Sequence, residues 1–341
     1  MLSKRLGILI LAVALAAGTA TTALAVAGAG AIVLEFPVDA RYNALGEAGT
    51  ALAQDAASLW WNPGGLAFAT DAHRARAAAM QSKLVPDLAD DIRLYWGGYV
   101  TSAWGGAFGA HISYLDMGTQ TATNDAGDPT GEFSSNMWAF GVGYGTKMSS
   151  NLGIGFGVKF YHDKLADNNV LQDGTGGSAS TFAVDAGLLY KVPGRRMNIG
   201  FALRNIGPDV THVDSDQSDP LPRTVTLGVA YGLVQNASTS LLLVGDVMVP
   251  LLKWSDSDQD YSFQPDFDQN EWGVGAEWGY ADALFLRFGY KKGTGEIEDT
   301  TWGLGLDLGN WLGKNIVFGY ASIPQAKGLD RVTRISVGYD F

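Results

Sequence analysis

Bulky apolar residues and small or polar ones alternate along most of this chain with a period of two. The alternation comes in segments of roughly ten residues, the length that a tilted membrane-spanning strand needs. Trp138, Phe140, Val142 and Tyr144 alternate with Ala139, Gly141, Gly143 and Gly145, and Leu152, Ile154, Phe156, Val158 and Phe160 alternate with Gly153, Gly155, Gly157 and Lys159. Because successive side chains of a strand point to opposite faces, one face of each segment is apolar and the other small or charged. The pattern repeats over 182–190, 197–203, 225–231, 272–280, 302–308 and 316–320, and more weakly over 72–81, 91–101, 105–116, 238–249 and 283–292. At the C-terminus Ile335, Val337, Tyr339 and Phe341 share one face and Arg334, Ser336, Gly338 and Asp340 the other. An aromatic last residue in register with apolar ones predicts a chain end embedded in lipid rather than a loose polar tail.

These segments predict about fourteen strands, an even number as single-chain bacterial barrels require. Short turns near 102–103, 149–150, 193–195, 235–237, 281–282 and 311–312 alternate with longer polar loops near 82–90, 117–134, 164–178, 206–220, 250–267, 293–298 and 322–329. Alternating short and long connections are the mark of an up-and-down barrel with periplasmic turns and extracellular loops. The fold class expected is therefore all-β: a transmembrane antiparallel barrel at 71–341. Under this topology Tyr144, Tyr190, Tyr231, Tyr280 and Tyr339 fall at the periplasmic rim. Tyr114, Trp138, Phe160, Trp272, Tyr290, Trp302 and Tyr320 fall at the outer rim, so two aromatic girdles result.

The N-terminus differs. Lys4 and Arg5 precede an apolar run and Ala23-Leu24-Ala25 offers a cleavage site, so 1–25 reads as a secretory signal peptide and the destination as the bacterial outer membrane. Residues 26–70 are too apolar for a tail, partly helical in composition, and contain the turn-forming run Asn62-Pro63-Gly64-Gly65. The barrel lumen is the large space available to them, and a plug, or hatch, is expected there.

The run from Pro37 to Ala67, with Arg41, Gly46, Gly49, Asp55, Trp60, Asn62, Pro63, Gly64 and Gly65, resembles the N-terminal signature of the PorV/PorQ family, itself similar to FadL-like long-chain fatty acid transporters. It departs from the family pattern at Gly64, usually Ala, and at Glu47, usually Gly. The resemblance implies an outer-membrane barrel closed by an N-terminal hatch. For PorV-like members it implies type IX secretion: receiving exported cargo by its C-terminal signal domain and passing it to surface attachment machinery. For FadL-like members it implies uptake of hydrophobic small molecules. It further implies that Tyr339 and Phe341 signal to the barrel assembly machinery.

Composition narrows the chemistry. With 0 cysteines there are no disulfides or thiolate sites, and a net charge of -12 argues against nucleic acid as a partner. No enzyme motif is present, the histidines His73, His111, His162 and His212 are scattered, and no cofactor is expected. The acidic runs Asp256-Ser257-Asp258-Gln259-Asp260 and Asp214, Asp216 and Asp219 read as solvated loops, because the former lacks the glycine and glutamate of a calcium loop. Inward positions carry both signs: Arg93, Lys159, Arg204, Arg287 and Arg334 against Asp185, Asp246, Glu277 and Asp307. Ionisable groups inside a barrel are costly unless paired or wet, so these are expected to brace the lumen and hold the hatch.

Overall fold

The computed structural model describes residues 30–124, 126–166, 177–212, 218–255, 260–293, 297–309, 313, 315–325 and 329–341. The expected signal peptide, Asp214, Asp216 and most of the 256–260 run lie outside the described residues.

Fourteen strands close into one barrel in which each is antiparallel to its neighbours. In chain order they begin with β1 (Ala75–Lys83), β2 (Arg93–Ala103), β3 (Gly106–Thr123), β4 (Pro129–Lys147), β5 (Leu152–Lys164), β6 (Ser178–Lys191), β7 (Met197–Ile206), β8 (Thr224–Gln235) and β9 (Thr239–Pro250). A small loop hairpin of β10 (Lys253–Ser255) and β11 (Asp260–Ser262) stands outside the barrel order. The wall continues with β12 (Glu271–Tyr280), β13 (Leu284–Lys292), β14 (Glu298–Asp307), β15 (Ile316–Ile323) and β16 (Val332–Asp340). β16 pairs with β1 in the register Val337↔Ala79 and Asp340↔Arg76, and the Phe341 N–H donates to the Ala75 carbonyl at 2.8 Å. Closure leaves the wall no free edge, which is the condition for a sheet to sit in lipid.

The period-two pattern maps onto the two faces of the wall. On β16 Ile335, Val337 and Tyr339, and Phe341 just past it, are exposed outward, whereas Arg334 and Ser336 are buried inward. Phe140, Phe156, Phe182, Leu227, Phe288, Leu304 and Phe318 form the same outward apolar belt around the barrel. The girdles also form. Trp138 packs on Phe160 with ring centroids 5.6 Å apart, Trp272 on Tyr290 at 5.6 Å and Trp302 on Tyr320 at 5.4 Å at one rim. Tyr339 meets Phe341 at 4.7 Å and Trp104 meets Tyr144 at 6.3 Å at the other.

One expected loop is mostly strand. Where the sequence predicts a polar connection over 117–134, β3 continues to Thr123 and β4 starts at Pro129, leaving only a tip between them. Beyond Met117, which packs on the core, most of this ribbon faces water, so nothing selects an apolar face and hydrophobic alternation cannot reveal it. A second departure lies between β7 and β8. Asn205 takes a left-handed φ of 60°, the ladder with β6 shifts register there, and the following chain turns inward to bury Val210 and Leu221 completely.

Candidate functional site: the hatch and its seat in the lumen

The residues from Gly30 to Thr70 fill the barrel as a series of single turns: a 3-10 turn at Ile32–Leu34, helical turns at Ala40–Asn43, Ser58–Trp61 and Leu66–Ala69, and a 3-10 turn at Pro63–Gly65. Isolated turns this short have too few hydrogen bonds to persist alone, so their stability comes from what encloses them. Tyr42, Val33, Val38, Ala44, Leu45 and Asn43 are completely buried. Internal bonds add to this: the Trp61 indole N–H donates to the Val38 carbonyl at 3.1 Å, Tyr42 donates to the Asp55 carboxylate, and Asp55 also accepts the Ala57 N–H at 2.8 Å.

Two different surfaces hold the hatch. Toward β2–β6, Val33, Leu34, Tyr42, Trp60 and Trp61 share an apolar cluster with wall residues that include Leu94, Trp96, Leu115, Ala139 and Tyr161, completed by Val210 and Leu221 of the inward-turning segment. Toward β9–β14 the seat is polar. Arg41 donates to both carboxylate oxygens of Glu277, at 2.9 and 2.7 Å, and Arg287 donates to the same carboxylate at 2.7 Å. Asp246 accepts the N–H groups of Gly49 and Thr50 at 2.9 and 2.8 Å. Thr301 donates to the Ala44 carbonyl and accepts the Gly46 N–H, both at 2.9 Å. Asn62 donates to the Thr50 carbonyl at 2.7 Å and to the wall carbonyl of Leu188 at 2.9 Å while its oxygen accepts the Gly64 N–H.

Inward glycines let the wall approach the hatch backbone. A Cβ on Gly273 would lie 1.8 Å from the Gly46 oxygen, one on Gly155 2.0 Å from the Pro63 oxygen and one on Gly187 2.1 Å from the Asn62 side-chain oxygen. No side chain fits at those separations, which explains why glycine alternates so strictly on the inner face. On the hatch itself Gly46 has φ +72°, and Cβ atoms on Gly49 and Gly65 would strike the Trp61 ring and the Ala53 oxygen. Glu47, where the family pattern has glycine, takes φ 61°. Such a backbone costs an ordinary residue roughly 1–2 kcal/mol. Its carboxylate in turn pairs with Lys291 of β13 at 2.7 Å.

The expected lumen charges divide into groups. Glu277, Arg287 and Asp246 join the hatch seat, and Lys159 pairs with Asp185 at 2.9 Å within the wall and also donates to Asn205. Arg204 lies over the Trp60 ring, 4.5 Å from its centroid. Arg334 is buried on the inner face of β16 with its Nε and one terminal nitrogen unpartnered among the described residues. Arg93 and Asp307 stand at opposite strand ends, Arg93 at the outer end of β2 and Asp307 bonding the Gly309 N–H at 2.8 Å, and among the described residues neither bonds to the hatch. Sequence reasoning missed Thr301, Asn198 and Lys291, since lone inward polar residues on strands give no motif to find. Asn198 donates to the Ala51 carbonyl at 3.2 Å.

Beside the hatch is a cavity of about 80 Å³, lined by Trp60, Trp61 and Trp272 together with Glu35, Arg204 and Lys292. It is small and charged. Among the described residues no cluster of metal-ligating side chains occurs.

Comparison with known proteins agrees with this architecture. The chain resembles the toluene transporter TbuX of Ralstonia pickettii, at 16% identity and TM-score 0.57, over 89% of this chain and 98% of that one. It resembles the toluene transporter TodX of P. putida at 15% identity and TM-score 0.56, covering 89% and 98%, and a Pseudomonas aeruginosa FadL homologue at 13% identity and TM-score 0.51, covering 89% and 98%. At such identities these likenesses speak for the fold alone. No curated protein matches the chain. The family model described as type IX secretion system protein PorV matches residues 19–251, well beyond the hatch and through β9. A closed barrel sealed by a seated hatch is thus joined to a sequence match over more than half the chain, and the chain belongs to the PorV family of outer-membrane barrels.

Proposed function

We propose that this barrel handles exported proteins at the outer membrane as a type IX secretion component, receiving cargo by its C-terminal signal domain, and that it performs no covalent chemistry. In this reading the signal peptide takes the chain to the periplasm and the barrel assembly machinery inserts it among outer-membrane lipids. The observation that carries the proposal is the family match over 19–251. The character of the lumen supports it. The apolar side is filled by the chain's own Val33, Leu34, Val210 and Leu221, and the cavity of about 80 Å³ beside the hatch places Glu35, Arg204, Asp246 and Lys292 among its tryptophans, charges that suit a greasy molecule poorly. Pull-down of the tagged chain from native membranes tests it: surface proteins sharing a C-terminal domain are expected, and their absence contradicts it.

A second reading, uptake of hydrophobic small molecules, draws on the lumenal apolar cluster and the barrel's likeness to toluene transporters. It requires co-purified lipid or detergent in the lumen of the isolated protein; an empty lumen removes it.

A further inference from the structure

β3 and β4 outgrow the wall. Their neighbours stop pairing with them at Arg93↔Asp116 and Lys164↔Asn136, yet the two strands go on pairing with each other, through Thr119↔Ser134 and Thr121↔Glu132 to Thr123↔Pro129. At roughly 3.3 Å per residue the arm rises on the order of 20 Å beyond the barrel rim. It has almost no core of its own: Thr119, Gln120, Thr121 and Thr123 on one strand and Thr130, Gly131, Glu132 and Ser134 on the other are exposed, and only Ala122 and Phe133 are half-buried. A lone two-stranded ribbon is marginal in water and is completed by a further strand.

The β3 side of the arm is where a further strand fits. The Thr119 N–H donates not to β4 but to Asp91 of the β1–β2 loop, at 3.1 Å. Backbone groups alternate sides along a strand, so the N–H and C=O of Thr121 also face away from β4, and β2 begins only at Arg93, below them, so that among the described residues no strand pairs with Thr121 on this side. Proteins usually guard such an edge with lysine, proline or a covering segment. Here Asp91 covers only Thr119, and the stretch 116–136 holds no lysine or arginine while carrying Asp116, Asp125, Asp128 and Glu132.

We propose that the β3 edge of this arm takes a strand of an exported protein by strand addition, the partner strand being basic to match the acidic ribbon. Lipid is a poor occupant because the arm rises beyond the rim and, apart from Ala122 and Phe133 on one face, presents polar residues. A second copy fits badly too: two barrels in one membrane are related by an axis along the membrane normal, which would bring the two β3 edges together in parallel, the less stable pairing. The proposal deepens the secretion reading and rests on it.

The test uses the full-length barrel in its own cells, with a photoreactive benzophenone amino acid in place of Thr123 and irradiation of the intact cells. The expected adduct is to an exported protein, its crosslinked peptide lying in a strand, and weakened at least several-fold by raised salt. Thr121→Pro removes the outward N–H without breaking the ladder to β4 and should abolish the adduct, whereas Thr121→Val keeps that N–H and should preserve it. An adduct that survives Thr121→Pro, an adduct to a second copy, or none at all overturns the proposal. If pull-down of the same cells still recovers exported proteins, only the arm is refuted; if it recovers none, the secretion reading falls with it.

Discussion

Arg41 and Glu277 lie 236 residues apart in sequence and are joined by two hydrogen bonds, at 2.7 and 2.9 Å, which tie the hatch to β12 of the wall. Arg287 completes the group from β13, so a single buried carboxylate accepts hydrogen bonds from two guanidiniums, one of them buried with it. Removing one partner of such a group leaves charge buried without compensation, at a cost of about 3–5 kcal/mol. Glu277→Gln strands both arginines, whereas Arg41→Met leaves the Glu277–Arg287 pair intact. Thermal unfolding of the detergent-solubilised barrel should therefore rank Glu277→Gln below Arg41→Met, and Arg41→Met should still expose the hatch to protease. Equal stability of all three proteins would contradict this.

Close approach of wall and hatch gives a second expectation. Gly273→Ala would place a methyl 1.8 Å from the Gly46 oxygen and should lower the unfolding temperature by several degrees or block hatch seating, measured as increased ion conductance through the reconstituted barrel. Gly131→Ala, which meets nothing within 4 Å, should change neither quantity.

Much of this was legible in the sequence. Strands with lipid on one face and the hatch on the other must alternate, so β5, β6 and β16 could be read from Leu152, Phe182 and Phe341 outward. The hatch motif was legible because Gly46, Asn62 and Gly64 each meet a backbone demand that few residues satisfy. The arm was not: Thr119 to Thr123 face water on both sides, and polarity on both faces looks the same in a loop and in a free ribbon. Nor could the partners of the inward charges be assigned, since Lys159 finds Asp185 and Asn205 only after the register of three strands is set.

The hatch should also respond to pH. Burial, together with the nearby Asp55 charge, pushes the Asp39 carboxyl up to about 6. The folded state then keeps a proton that the unfolded chain, with an ordinary carboxylate pKa of about 3.9, releases first, so stability falls as pH rises from about 4 to about 6. Unfolding temperatures measured across that window should decline, and Asp39→Asn should flatten the decline. A rise in stability across the same window would reverse the sign and refute the assignment.

The chain end gives a prediction about assembly. Phe341 is 60% exposed to the lipid side, packs on Tyr339, and through its N–H closes the seam at Ala75. Deleting Phe341 or replacing it by Asp should reduce the folded protein recovered in outer-membrane fractions several-fold, scored by the mobility difference of unheated and heated samples on gels. Wild-type recovery would show that the terminal aromatic does not guide insertion.

The lumen is closed by a seated hatch, and protein is the cargo proposed for the barrel. Deleting the gene and locating the exported proteins that share a C-terminal domain tests this most directly. Their accumulation in the periplasm, with unchanged uptake of a radiolabelled apolar compound such as toluene, is the predicted result. Normal delivery of those proteins to the surface, with slowed uptake of the apolar compound, would contradict it.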